Sequence, residues 1–250
     1  MQKRITSKHV AILFCLVICF VSCAHKSGHR RDRERPGTTM ADCSNGKSSR
    51  STARKSKIVN KRSSNKLEGS QIFDRYGSAV FMVFTTDGSN TYQGSGFFID
   101  NGGLAVSNYH VFKGTGMGLE QIKLAGSDVA YKVTEIITRS EDEDFILFRV
   151  DCENNNYIPI ATEKPKIGEK VYAIGSPRGL ENTFSSGEVS QWRADNLMQI
   201  SALIDHGSSG GALINEYGEV VGITSGSFAD GSQANLNYAW SIDIVKPYLR

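Results

Sequence analysis

Ile200-Ser201-Ala202-Leu203-Ile204-Asp205-His206-Gly207-Ser208-Ser209-Gly210-Gly211-Ala212-Leu213-Ile214 sets a glycine and serine bend between two apolar runs. The runs are strand-like, and the bend leaves a hydroxyl exposed where one of them ends. Glycines open the backbone angles that turn successive N–H groups toward one point, and such a point can hold the negative oxygen of a tetrahedral acyl intermediate. Most bends of this composition are plain turns, so the reading depends on a base and an orienting acid elsewhere in the chain.

A serine hydroxyl needs an imidazole to take its proton. The chain has five histidines, His9, His25, His29, His110 and His206. The first three lie in an N-terminal region with few apolar residues after residue 24, and His206 is three residues from Ser209 along the bend. His110 remains, at the exit of the short apolar strand Leu104-Ala105-Val106-Ser107. A satisfied core histidine is the other reading of that position. The acid must hold the imidazole by its second nitrogen. Asp144 opens the buried-looking run Asp144-Phe145-Ile146-Leu147-Phe148-Arg149-Val150, behind the solvated loop Glu141-Asp142-Glu143. It either points inward from that junction or belongs to the loop.

Five segments now fall into a family order. Gly94-Ser95-Gly96-Phe97-Phe98-Ile99, Ser107-Asn108-Tyr109-His110-Val111, Asp144-Phe145-Ile146-Leu147, Gly175-Ser176-Pro177-Arg178-Gly179-Leu180 with Ser186-Gly187-Glu188-Val189-Ser190, and Gly207 to Gly211 span about residues 72 to 249. Together they resemble a trypsin-like serine protease of the chymotrypsin fold, nearest to the HtrA/Deg group; the order His, Asp, Ser agrees with it. The family usually has Pro and Asn where this chain has His206 and Ser208, often has Pro at Ala212, and has a small residue at Ile146. The resemblance implies an all-β fold of two six-stranded Greek-key barrels, about residues 71–155 and 165–241, with the active site between them and a short closing helix over Asp243–Leu249. The residues alone support this: short strands broken by Gly, Asn and Asp indicate an all-β barrel or sandwich. The PDZ module common in the family is not expected after the closing helix.

The resemblance also assigns roles. His110 is the base, Asp144 its orienting acid and Ser209 the nucleophile. The N–H groups of Gly207 and Ser209 form the oxyanion hole, where losing one donor costs about 3 kcal/mol in barrier. Leu203 lies under the substrate side chain, with Thr224, Ser225, Gly226 and Ser227 beside it. An apolar floor disfavours a buried cation, and the glutamate-specific relatives' histidine is missing from Gly222-Ile223-Thr224-Ser225. Cleavage of polypeptides after small or medium aliphatic residues is expected, with no metal and no cofactor. The alternative is a catalytically silent, protease-like binding protein at the membrane.

Charge divides the chain. Residues 1–70 hold 16 Lys and Arg against 4 Asp and Glu, a net of +12, while residues 71–250 hold 13 against 22, a net of −9. Lys3, Arg4 and Lys8 precede the apolar run Val10–Val21, which suits an export signal over residues 1–23. Val21-Ser22-Cys23 resembles a bacterial lipobox with Cys23 as the lipidated residue; cleavage after Ala24 and an uncleaved anchor are the alternatives. Residues 24–70 read as a basic tether unable to bury a core. They lack the interleaved aromatics that stack bases, so nucleic acid is not an expected partner. The expected location is the bacterial cell envelope, membrane-anchored or periplasmic. Cys43 and Cys152 are a possible disulfide after export, and the sequence leaves the oligomeric state open.

Overall fold

The computed structural model describes residues 63–115, 118–153, 155–176, 182–227 and 236–249, with the side chain of Ser227 outside that set. Residues 1–62, which include the expected signal, Cys23 and nearly all of the tether, lie outside it.

Twelve strands form two closed antiparallel barrels with one topology. β1 (Val80–Thr86), β2 (Thr91–Phe98), β3 (Leu104–Ser107), β4 (Gln121–Leu124), β5 (Ala130–Ser140) and β6 (Phe145–Val150) close in the order β1-β2-β3-β6-β5-β4. β7 (Lys170–Gly175), β8 (Thr183–Ala194), β9 (Leu197–Ile200), β10 (Ala212–Asn215), β11 (Val220–Ser227) and β12 (Asn237–Ser241) repeat it as β7-β8-β9-β12-β11-β10. These are the two six-stranded barrels expected from the sequence. β4 carries no apolar run, because only Ile122 of its four residues is fully buried.

Period-two alternation explains why so many strands read as unbroken apolar runs: both faces of the strand are covered. On β6, Phe145 and Leu147 face the joint between the barrels, whereas Ile146 and Phe148 fill the first barrel beside Phe81, Phe98 and Phe112. On β10, Ala212 and Ile214 face the joint and Leu213 fills the second barrel with Val171, Val189 and Met198. The bulky Ile146 is therefore a core residue, 1% exposed.

Folded chain begins before residue 71. Leu67 is buried, its N–H donates to the Glu216 carbonyl at 2.7 Å, and helix α1 (Gly69–Tyr76) follows. Ile72 and Tyr76, one helical turn apart, turn inward, and Phe73 meets Phe184 edge-on at 5.9 Å. The C-terminal segment closes in two 3₁₀ turns, Ile242–Ile244 and Lys246–Tyr248. Pro247 lacks an amide hydrogen and disfavours an α-conformation before it, which keeps the turns short. Cys152, buried just after β6, is disulfide-bonded.

Candidate active site

Each expected residue comes from the end of a strand. β3 stops at Ser107, Asn108 adopts an extended conformation, and the single helical turn α2 (Tyr109–Phe112) carries His110 out of the first barrel. Asp144 closes the β5–β6 connection with φ of +45°. Asp and Asn tolerate this left-handed region better than most residues, and here it turns the carboxylate back toward α2. Oδ1 accepts from the His110 backbone N–H at 2.9 Å, and Oδ2 meets His110 Nδ1 at 2.8 Å. A carboxylate accepts, so the proton of that contact sits on Nδ1 and leaves the Nε2 lone pair facing outward. The imidazole is half exposed and the carboxylate mostly covered.

Oδ2 also accepts from Ser225 Oγ at 2.8 Å. β11 pairs with β12 in register up to Thr224–Ala239 and resumes at Gly226–Tyr238, which makes Ser225 the extra residue of a bulge. A bulge re-aims one side chain out of the alternating pattern. Here it sends a hydroxyl of the second barrel to the acid of the first. Asn108 Nδ2 donates to the Asp144 carbonyl at 2.7 Å, while its Oδ1 is buried with no hydrogen-bond partner among the described residues.

Ser209 sits on the bend between β9 and β10. The Ser208 N–H donates to the Asp205 carbonyl at 2.9 Å, and Gly207, third in that four-residue turn, has φ of +93°. A positive φ at the third position marks a type II turn and calls for glycine. The Ser208 carbonyl accepts from Gly211 N–H at 2.9 Å and from Thr224 Oγ1 at 2.7 Å. The backbone N–H groups of Gly207 and Ser209 have no hydrogen-bond partner among the described residues. Gly210, with φ of +87°, lets the bend touch the first barrel: a Cβ there would stand 2.2 Å from the Ser95 carbonyl oxygen and 2.4 Å from Ser107 Oγ.

Ser209 Oγ reaches the same cleft. A Cβ on Gly226 would lie 3.5 Å from it, and Gly226 follows the serine bonded to Asp144. No hydrogen bond joins Ser209 Oγ to His110 in this structure.

The five expected pocket residues are distributed differently from one another. Thr224 is buried and bonded to the bend, Ser225 to Asp144, and Gly226 lies beside Ser209. Leu203 is 66% exposed, so its side chain is no buried floor; its neighbour Ile204 turns inward at 9%. A cavity of about 20 Å³ is lined by Ile174, Ser185, Leu203, Ile204, Ser208 and Thr224 among others, none of them charged. A larger one of about 260 Å³ lies apart from the cleft residues, where Lys66 pairs with Glu216 and Lys164, Glu169 and Tyr217 complete a polar wall. Sequence reading gave no role to Ser95, Asn108 or Ile204. The signal for Ser95 was a hydroxyl between two glycines just ahead of the apolar run Phe97-Phe98-Ile99.

A family model described as the trypsin-like peptidase domain matches residues 94–223, more than half of the chain. The chain belongs to the trypsin-like peptidase family. Within that family it resembles the HtrA and DegP proteins. Protease Do-like 1, chloroplastic, of Arabidopsis thaliana is 28% identical over 180 residues, covering 65% of this chain and 40% of that protein. "Probable periplasmic serine endoprotease DegP-like" of Halomonas elongata is 32% identical over 161 residues, covering 61% and 33%. The crystal structure of the serine endoprotease from Yersinia pestis superposes with a TM-score of 0.65 at 26% identity, over 72% of this chain and 64% of that one. The chain thus spans between about a quarter and somewhat over half of the length of the curated relatives it matches, from 26% to 56%.

Proposed function

We propose that this trypsin-like chain is a serine endopeptidase whose catalytic residues are Ser209, His110 and Asp144. The observation that carries the reading is the row Ser225–Asp144–His110, which leaves Nε2 of the imidazole as an acceptor in the cleft that holds Ser209. In this reading His110 Nε2 takes the Ser209 proton as Oγ attacks a peptide carbonyl. The negative oxygen of the tetrahedral intermediate is held by the N–H groups of Gly207 and Ser209, whose hydrogens have no partner among the described residues. Protonated His110 then gives its proton to the leaving amine, and water hydrolyses the acyl-enzyme by the same route. Asp144 stabilises the imidazolium throughout.

The uncharged residues around Ser208, with Leu203, Ile204 and Thr224 among those lining the cavity, favour small or medium aliphatic side chains at the cleaved position; Ser225, Gly226 and Ser227 belong to the same proposed pocket. The reading extends to the cell envelope. Its supports are the basic and apolar start of the chain, the disulfide at Cys152, and relatives whose printed names are periplasmic. Lipid attached at Cys23 would tether the protease to the membrane, with residues 24–70 as the basic linker.

A fluorophosphonate probe tests the chemistry. Wild-type protein takes up one label per chain and Ser209→Ala takes up none; an unlabelled wild type with native circular dichroism refutes the enzyme. That second result is what a silent binding protein gives, a reading favoured by the unbonded Ser209 hydroxyl. For specificity, a peptide-library digest gives cleavage after Val, Ala, Ile or Leu ahead of Lys and Glu, and the reverse order refutes the pocket.

A further inference from the structure

Ser95 stands on β2 opposite Met82 of β1 and is fully buried. It shares a strand face with Phe97, which packs into the joint between the barrels. Every polar group of Ser95 is used, and three of the four bonds go to the second barrel. Its N–H donates to the Ser209 carbonyl at 2.8 Å. Its Oγ donates to the Gly207 carbonyl at 2.7 Å and accepts from the Ser176 N–H at 2.8 Å. Its carbonyl accepts from Ser107 Oγ at 2.7 Å.

A hydroxyl has one proton. Because the Ser176 amide can only donate, it claims a lone pair of Ser95 Oγ and leaves that proton for the Gly207 carbonyl. Three successive carbonyls of the bend are then pinned: Gly207 by Ser95 Oγ, Ser208 by Thr224 Oγ1, and Ser209 by Ser95 N–H. Peptide groups are planar and trans, so fixing a carbonyl fixes the N–H on the other side of the same peptide. Pinning the Ser208 carbonyl therefore aims the Ser209 N–H. Pinning the Gly207 carbonyl fixes the Gly207–Ser208 peptide, whose N–H closes the type II turn on the Asp205 carbonyl, and it is through this turn, with Gly207 at positive φ, that the Gly207 N–H takes its direction. Turning that peptide over would leave the Ser95 hydroxyl buried without an acceptor.

We propose that Ser95 is a positioning residue of the reaction, holding the Gly207 turn from the first barrel so that the Gly207 N–H faces the cleft. The inference rests on the serine-endopeptidase reading above and assigns a residue outside the triad. It predicts an effect on the transition state rather than on substrate affinity. Ser95→Ala lowers kcat per active site by about 10- to 100-fold with KM within about twofold, since part of one oxyanion donor's 10²–10³ is lost. Ser95→Thr, which keeps the hydroxyl, recovers most of the rate, and Ser95→Cys, a poor donor of nearly the same size, does not.

The test is steady-state kinetics on the full chain and these variants, with sites counted by fluorophosphonate titration. Binding of a peptide aldehyde, which mimics the tetrahedral intermediate, is measured beside it. The expected result is a parallel loss of kcat and aldehyde affinity in Ala and Cys, with recovery in Thr. Equal kcat per titrated site in wild type and Ser95→Ala overturns the proposal, as does a loss that falls on KM alone. If Ser95→Ala does not fold, Ser95→Cys against wild type decides it by the same two readings. A wild type that takes up no label overturns the endopeptidase reading itself, an outcome separate from a labelled wild type matched by its Ser95 variants.

Discussion

The Ser225 hydroxyl and the His110 imidazole meet the same oxygen of Asp144, each at 2.8 Å, although Ser225 belongs to the second barrel and Asp144 to the first. The acid is thereby held from both sides of the cleft, and the hydroxyl arrives there only because β11 bulges at that residue.

Removing the two partners should have unequal consequences. Asp144→Asn presents the wrong hydrogen-bonding pattern to Nδ1 and should lower kcat by about 10⁴, the scale set by the corresponding change in a well-studied serine protease. Ser225→Ala takes away one of several donors to the carboxylate; a charge-assisted bond of about 1.5–3 kcal/mol, partly replaced by water, leaves a loss of about tenfold. Peptide hydrolysis rates per titrated site, with thermal melts to confirm folding, check the ordering.

Two glycines of the bend should fail differently. Gly207→Ala puts a side chain at φ of +93°, a conformational cost of about 1–2 kcal/mol. Its expected signature is a folded protein whose kcat falls by about 10²–10³ as one oxyanion donor turns away. Gly210→Ala drives its methyl to within 2.2 Å of the Ser95 carbonyl in addition to the positive φ. Overpacking costs about 1–3 kcal/mol beyond the backbone term, so this variant should show a lower denaturation midpoint as well as lost activity. Urea titration separates the two.

The barrels were legible because alternating burial writes continuous apolar runs, as in Phe145-Ile146-Leu147-Phe148, and because their Gly and Asn breaks are local. His110 and Asp144 were legible from strand ends plus chain order. The bulge at Ser225 was not, since it depends on the register with β12 rather than on anything near Ser225. The same holds for Ser95, whose partners Gly207 and Ser176 lie 112 and 81 residues away. Helix α1 left a faint trace in the spacing of Ile72 and Tyr76 and in Gln71, whose Oε1 caps the Glu68 N–H at 2.9 Å. The basic composition before it outweighed that trace. The position of Leu203 came from the resemblance alone, and a one-residue difference in which side chain turns inward gives the interior to Ile204.

Acid should open the β1–β2 hairpin in a distinct window. Asp87 accepts from the N–H groups of Asn90 and Ser89 and from the Tyr92 hydroxyl, at 2.7–2.8 Å, and these bonds hold its carboxyl well below the usual carboxylate range. A depressed folded value contributes stability that is complete above the unfolded value of about 3.9 and is lost as pH falls through the folded one. Hydrogen exchange of the Ser89 and Asn90 amides should therefore stay slow through pH 4 and accelerate only at lower pH. In Asp87→Ala it should be fast throughout. The same bond raises Tyr92 above the ordinary phenol range, because ionising it would lose the donated proton. Its ultraviolet titration in Asp87→Ala should shift down.

Asn108 should separate activity from stability most clearly. Its Nδ2 bond to the Asp144 carbonyl, at 2.7 Å, supports a residue held at positive φ. Its Oδ1, buried without a partner among the described residues, is a standing cost of about 1–3 kcal/mol. Asn108→Ala removes both at once. Loss of the bond and of side-chain volume is offset by loss of the orphaned acceptor, so the melting free energy should change by no more than about 1–2 kcal/mol. Asp144, freed to leave its strained conformation, should spend less time in contact with Nδ1, and kcat should fall by about 10-fold or more with KM little altered. A variant that loses stability in proportion to its activity would mean that the amide serves the fold alone.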